Sequence, residues 1–137
     1  MDGRTSISSL KFLNYTVKKV NFIANSVQVK KEGWKLNFDI TSTIKVNEEK
    51  NKMSIILNVD IFKGVEDAPF YMNAEIEGYF ELEGEDDITR YEANAIAIMY
   101  PYLRAIVSTY TASANIAPVI LPAINVNAML KRKEQDK

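Results

Sequence analysis

The sequence predicts an α+β fold, a four-stranded antiparallel sheet followed by a long kinked helix and a short C-terminal helix. Two observations carry this prediction. Up to about residue 83 apolar residues recur at every second position, the period of a half-buried strand, and after Gly84 they recur at alternating spacings of four and three, the period of a helix. A third is that polar turn residues close the alternating runs.

The first strand is "LKFLNYTVKKVNFIA", residues 10–24, in which the apolar parity shifts between Val17 and Val20 across two lysines. A β-bulge there restores the facing. The second is "WKLNFDITSTIKV", residues 34–46, with Trp34, Leu36, Phe38 and Ile40 on one face, continuing through Ile44 and Val46 to a polar turn at 47–51. In the third, "MSIILNVDIF", Ile55, Leu57, Val59 and Ile61 oppose Asn58 and Asp60. In the fourth, "FYMNAEIEGYFEL", Phe70, Met72, Ala74, Ile76, Phe80 and Leu82 oppose Asn73, Glu75, Glu77 and Glu81. Lys63-Gly64 and Asp67-Ala68-Pro69 turn the chain between the last two. Four strands in succession suggest a meander or a close relative, although the linker from Asn25 to Gly33 is long enough to cross over the sheet.

From Tyr91 to Ala114, Ile96, Tyr100, Leu103, Val107 and Tyr110 form one helical stripe, and Ile98, Tyr102 and Ile106 lie on another side. A helix apolar around most of its circumference must be buried on two sides. The sheet supplies one. A chain of 137 residues, which fits one domain (1–137), has no further layer for the other. The expectation is a homo-oligomer with Tyr100, Tyr102, Leu103, Arg104, Ile106, Val107 and Tyr110 at or near the interface. Pro101 predicts a kink or restart near Tyr100. Asn115 is a helix stop, Pro118 and Pro122 hold an extended connector, and a final helix from about Asn125 presents Val126, Met129 and Leu130. Residues 1–9 and 131–137 are expected to be flexible.

The net charge of −1, with one diluted basic run at Lys131-Arg132-Lys133, argues against nucleic acid as a partner. The absence of cysteine and histidine removes thiol nucleophiles, disulfides, the usual zinc ligands and the commonest general base near neutral pH. The N-terminus lacks a basic segment followed by an apolar core, so a cytoplasmic location is expected. Asn94, Pro101, Arg104, Asn115, Pro118 and Pro122 interrupt the apolar C-terminal third, so direct membrane insertion is not.

Candidate chemistry is sparse. Glu75, Glu77 and Glu81 share a strand face and could work as an acid and base pair, but alternate acids on an outer sheet face are what solubility requires. Asp86-Asp87 could hold a cation, yet no ligand spacing follows, and a solvated turn is the better account. Arg104, a lone charge amid apolar residues, reads as the partner of an acid across a subunit interface or as a side chain whose head reaches water. No catalytic residue, cofactor or metal is expected.

"MYPYLRAIVSTYTASANIAPVILPAINVNAML" resembles the C-terminal region of the SecB protein-export chaperones. Tyr100-Pro101-Tyr102-Leu103-Arg104 matches the family's first helical element, Leu121-Pro122-Ala123-Ile124-Asn125-Val126 its Pro-x-Asn-Phe element, and Asn127-Ala128-Met129-Leu130 its closing helix. "YTVKKVNFIAN", Trp34 and "APFYMNAEIEGYFEL" are similar to its first strand, crossover end and fourth strand. The resemblance implies an ATP-independent holdase for unfolded polypeptides, including preproteins for export, assembled through the long helix into a homodimer or a dimer-of-dimers tetramer. It implies a client groove of Trp34, Leu36, Phe38, Ile40, Val126, Met129 and Leu130, with Val126 where the family has Phe. It also implies a docking face for the SecA motor, to which Asn73, Glu75, Glu77 and Glu81 correspond, although Lys19 and Asn73 stand where the family presents acids. A dedicated chaperone of one client, such as the antitoxin of a toxin-antitoxin system, and an oligomeric binder of small apolar ligands are the alternatives.

Overall fold

The computed structural model describes residues 8–25 and 35–135. Four antiparallel strands, β1 (Ser9–Ala24), β2 (Phe38–Val46), β3 (Lys52–Ile61) and β4 (Phe70–Glu83), form one sheet. A 3-10 turn (Ile88–Tyr91) leads into α1 (Glu92–Ser113), and α2 (Val126–Gln135) closes the described chain.

The sheet order is β1-β4-β3-β2, so it is not a plain meander. β1 and β2, consecutive in the chain, lie at opposite edges of the sheet, and β4 pairs with β1 over 14 registered positions. Sequence-local hairpins account for β2-β3-β4; the β1-β4 pairing is a long-range choice that buries the core face of β4 between two neighbours. β1 contains the expected irregularity, between Val17 and Lys19, and a second between Phe12 and Asn14. Two shifts of parity, not one, take the core-facing set from Leu10 and Phe12 through Tyr15 and back to Val20 and Phe22.

The core lies between the sheet and α1. Ile55, Leu57, Val59 and Ile61 of β3 and Met72, Ala74 and Ile76 of β4 have no exposed surface, and Ile96, Met99, Leu103 and Val107 of α1 close over them. Helix and sheet approach closely at Gly78, where an added Cβ would lie 2.8 Å from Met99 Sδ. Glycine interrupts the apolar alternation of β4 where the Met99 side chain presses on the strand, and a larger residue there would require Met99 to shift. α1 is continuous through Pro101 and does not restart. It ends as its sequence indicates: Asn115 takes a left-handed conformation at φ 65°, and its amide donates to the Ala112 carbonyl at 3.1 Å.

Candidate functional site: a groove between the β2 edge and α2

The connector that delivers α2 is tied to α1 by hydroxyl groups. Thr111 is fully buried; its Oγ1 donates to the Val107 carbonyl at 2.8 Å and accepts from the Val119 amide at 2.8 Å. Ser108 Oγ donates to the Val119 carbonyl at 2.8 Å, and the Tyr100 hydroxyl donates to the Pro122 carbonyl. Leu121 fills the interior between these ties with no exposed surface. The proline-bearing segment has no ladder of its own, so side chains of α1 satisfy its backbone. Asn125 then caps α2, its Oδ1 accepting from the Ala128 amide at 2.9 Å.

Held this way, α2 lies alongside β2, the free edge of the sheet opposite β1. Met129 is the one residue of α2 that is fully taken into the core. Two ion pairs tether the far end of the helix: Lys133 to Glu92 of α1 at 3.4 Å, and Arg132 to Asp39 of β2 at 3.8 Å. Between strand and helix runs a surface trough, not a sealed cavity. One stretch, of about 390 Å³, is lined by Phe38, Ile40, Ile124, Ala128 and Met129, with Asp39, Asn125 and Arg132 at its borders.

Of the residues expected in a client groove, Phe38, Ile40 and Met129 come together in this lining. Leu36, Val126 and Leu130 are partly buried against the hydrophobic core instead. Trp34 lies outside the described residues. Ile124, in the proline-bearing connector, was not singled out from the sequence, because it belongs to neither periodic element.

The expected interface set divides. Tyr100, Leu103 and Val107 are core residues of the single chain, because their side of α1 is the one laid on the sheet. Tyr102 (39% exposed) and Tyr110 (48% exposed) remain outside, with Ile106 and Arg104 half-buried. Tyr102 stacks into an aromatic group with Tyr15 and Phe12 of β1, at centroid separations of 4.8 and 5.7 Å. The Arg104 guanidinium sits 6.0 Å from the Tyr100 ring centroid, and its buried Nε has no hydrogen-bond partner among the described residues.

On the outer face of the sheet, the acids expected to keep that surface negative are matched by lysines. Glu81 is flanked in register by Lys11 and Lys52, Glu75 by Lys19, and Glu77 lies 3.6 Å from Lys18. Glu77 is nearly buried, and a hydrogen bond from Ser54, supported by Tyr79, Lys18 and Lys45, holds its carboxyl below the usual carboxylate range against the opposing effect of desolvation. Asn73 is buried too, its amide donating to Asn58 Oδ1 and Asp60 Oδ1, each at 2.9 Å. Only Glu75 and Glu81 of the expected docking residues are appreciably accessible. The two adjacent aspartates are structural: Asp87 caps the 3-10 turn by accepting from the Thr89 amide at 2.9 Å, and Asp86 pairs with Arg90 at 3.0 Å. Among the described residues no helix is long and apolar enough to cross a membrane.

The fold has counterparts in other proteins. The chain is 42% identical over 135 residues to an uncharacterized protein of Methanocaldococcus jannaschii, an alignment spanning 94% of this chain and 87% of the relative. Its structure is similar to that of the SecB-like chaperone Rv1957 of Mycobacterium tuberculosis, solved in complex with a ChAD peptide from the HigA1 antitoxin. That match has a TM-score of 0.70 at 14% identity and covers 85% of this chain and 91% of the other. A protein of unknown function from Streptococcus agalactiae also matches, with a TM-score of 0.52 at 16% identity, covering 85% and 99%. Residues 7–137 match the family described as preprotein translocase subunit SecB, and on that match, nearly the length of the chain, it belongs to the SecB family, whose members are chaperones and not enzymes.

Proposed function

We propose that this protein is an ATP-independent holdase that seats apolar segments of non-native polypeptides in the groove between β2 and α2. The observation that carries the reading is the lining itself, in which Phe38, Ile40, Ile124 and Met129 face an open trough. Unfolded chains expose apolar side chains that folded ones hide, and burying them is worth roughly 25 cal/mol per Å² whatever the sequence. Met129 suits a variable ligand, because an unbranched thioether adapts to many shapes. The surface left on α1 by Tyr102, Ile106 and Tyr110, continuous with the aromatic residues of β1, supports self-assembly into a dimer or a larger oligomer. A cytoplasmic setting goes with this reading.

A chaperone dedicated to one client is the second reading, favoured by the structural similarity to a SecB-like chaperone solved with an antitoxin peptide. An open trough favours either of these over a binder of small apolar ligands, for which an enclosed cavity is the usual form. Docking on a SecA-type motor draws little support from the outer sheet face, since its glutamates are locally neutralised by lysines.

The test is suppression of aggregation of a slowly folding polypeptide diluted from denaturant, without ATP, by the wild type and by Ile124→Asp. Stoichiometric suppression by the wild type, weakened in a variant that still folds and assembles, is the expected outcome. No suppression at several-fold excess excludes the general holdase and leaves the dedicated client.

A further inference from the structure

Resting on that reading, we propose that Met129 is a reversible oxidation site through which peroxides switch off client binding. The trough has a second stretch, of about 360 Å³, to which Thr41, Ser42 and Lys133 add a polar wall; Ser42 stands on the core face of β2, in register with Leu57. The two stretches share Asp39, Ile40, Met129 and Arg132. Of these four, Met129 alone carries an atom that a mild oxidant attacks. It is also the one fully buried residue of α2, with 8% of its surface left facing the trough, so a single side chain both lines the site and anchors its wall.

The other methionines of the described residues are placed differently. Met72 and Met99 have no exposed surface and lie between the sheet and α1. Met53 is 4% exposed, but β3 is paired on both sides, to β2 and to β4, so Met53 cannot turn out without breaking the sheet. α2 is a ten-residue helix at the end of the described chain, and it can open while the sheet stays intact. An oxidant therefore reaches Met129 by two routes, the open trough and the loosening of the helix that bears it. The step balances with hydrogen peroxide alone. A sulfur lone pair attacks one peroxide oxygen, the O–O bond breaks as the S–O bond forms, and the other oxygen leaves as water after proton transfer; sulfur loses two electrons and the peroxide gains them. The product carries a strongly polar S=O group in a compartment lined by Phe38, Ile40 and Ile124. Held against that lining the new oxygen gives up its hydration, so the oxidised side chain leaves the core. With only Val126 and Leu130 partly buried beside it, α2 loosens too, and the trough loses its helical wall.

The experiment treats the full-length protein with graded hydrogen peroxide, locates sulfoxides by peptide mass spectrometry, and follows binding of a labelled, unstructured ten-residue peptide bearing two leucines by fluorescence anisotropy. Met129 should oxidise on the order of tenfold faster than Met53, Met72 and Met99, and saturating peptide should slow its oxidation alone. Peptide affinity should fall on the order of fivefold in step with the Met129 sulfoxide, and return once the two epimer-specific methionine sulfoxide reductases have acted with a dithiol. The affinity of Met129→Leu, measured before and after peroxide, should not change. Oxidation of Met129 no faster than that of the core methionines, binding that survives complete conversion to the sulfoxide, or an equal loss in Met129→Leu overturns the switch while the groove stands. A peptide that fails to bind the untreated protein, or binds Ile124→Asp as tightly as the wild type, overturns the groove reading and the switch with it.

Discussion

The two helices of this chain are held in contrasting ways. α1 commits seven residues to the interior, namely Ala95, Ile96, Met99, Tyr100, Leu103, Val107 and Thr111; α2 buries Met129 alone, with Val126 and Leu130 partly buried beside it, and is otherwise held by its Asn125 cap and two ion pairs. Large buried area makes α1 part of the cooperative core, whereas a short helix with one buried anchor can open locally at much lower free energy. The sheet and α1 are therefore a rigid floor, and α2 is the adjustable wall of a groove lined by β2, the connector and α2. That suits a site that must accept many segments, since the strand side sets the chemistry while the helix side sets the width.

Substitutions can break this contrast, and the largest effect belongs to the floor. Leu103→Ala should destabilise the whole protein by about 3 kcal/mol, read as a single shifted denaturation midpoint, because it opens a void in a close-packed layer. Thr111→Val should cost about 1–2 kcal/mol by leaving the Val119 amide without its acceptor. Amide exchange should accelerate across residues 116–125 while the sheet stays protected, and Thr111→Ser should restore both. Met129→Ala should move the global midpoint less than Leu103→Ala does, yet raise exchange throughout α2 and weaken peptide binding several-fold. If it unfolds the protein as readily as the α1 substitution, the distinction between floor and wall is wrong.

The smallest effect is expected on the outer face. The Glu77 carboxyl is held below its ordinary value of 4.5 in the folded state, so its contribution is present above that pH and is lost as pH falls through the depressed value. Glu77→Gln should lower stability near neutrality by within about 1 kcal/mol, and the difference from the wild type should vanish in the acid limb of a pH titration of stability. A difference that persists at a pH low enough to protonate the carboxyl in both states would point to packing instead of charge.

Much of this architecture was legible in the residues. Alternation located β2, β3 and β4, the two lysines after Val17 marked one irregularity of β1, the four-three spacing located α1, and Asn115 and Asn125 marked where one helix stops and the next begins. The second irregularity near Leu13 was hidden because Phe12 and Leu13 are both apolar, so parity is ambiguous there. Ser42 was visible as a polar break between Ile40 and Ile44, but a single break is common at a strand edge and says nothing of what lies opposite. Thr111 and Ser108, three apart in a helix that also carries Thr109 and Ser113, were a trace of the ties that hold the connector, indistinguishable in sequence from those neighbours.

By itself, the sequence determined the elements, their inward faces and the absence of cysteine and histidine chemistry, since these depend on residue type and on periods of two and 3.6 that neighbours along the chain set. Only the tertiary structure decided that β1 lies beside β4, that Tyr100, Leu103 and Val107 belong to the home core, that lysines neutralise the outer glutamates, and that Asp39, Ser42 and Arg132 meet at one groove. Each of these depends on which distant segments share an edge, and that is settled by the free energy of the whole packed core, to which local spacing contributes no information.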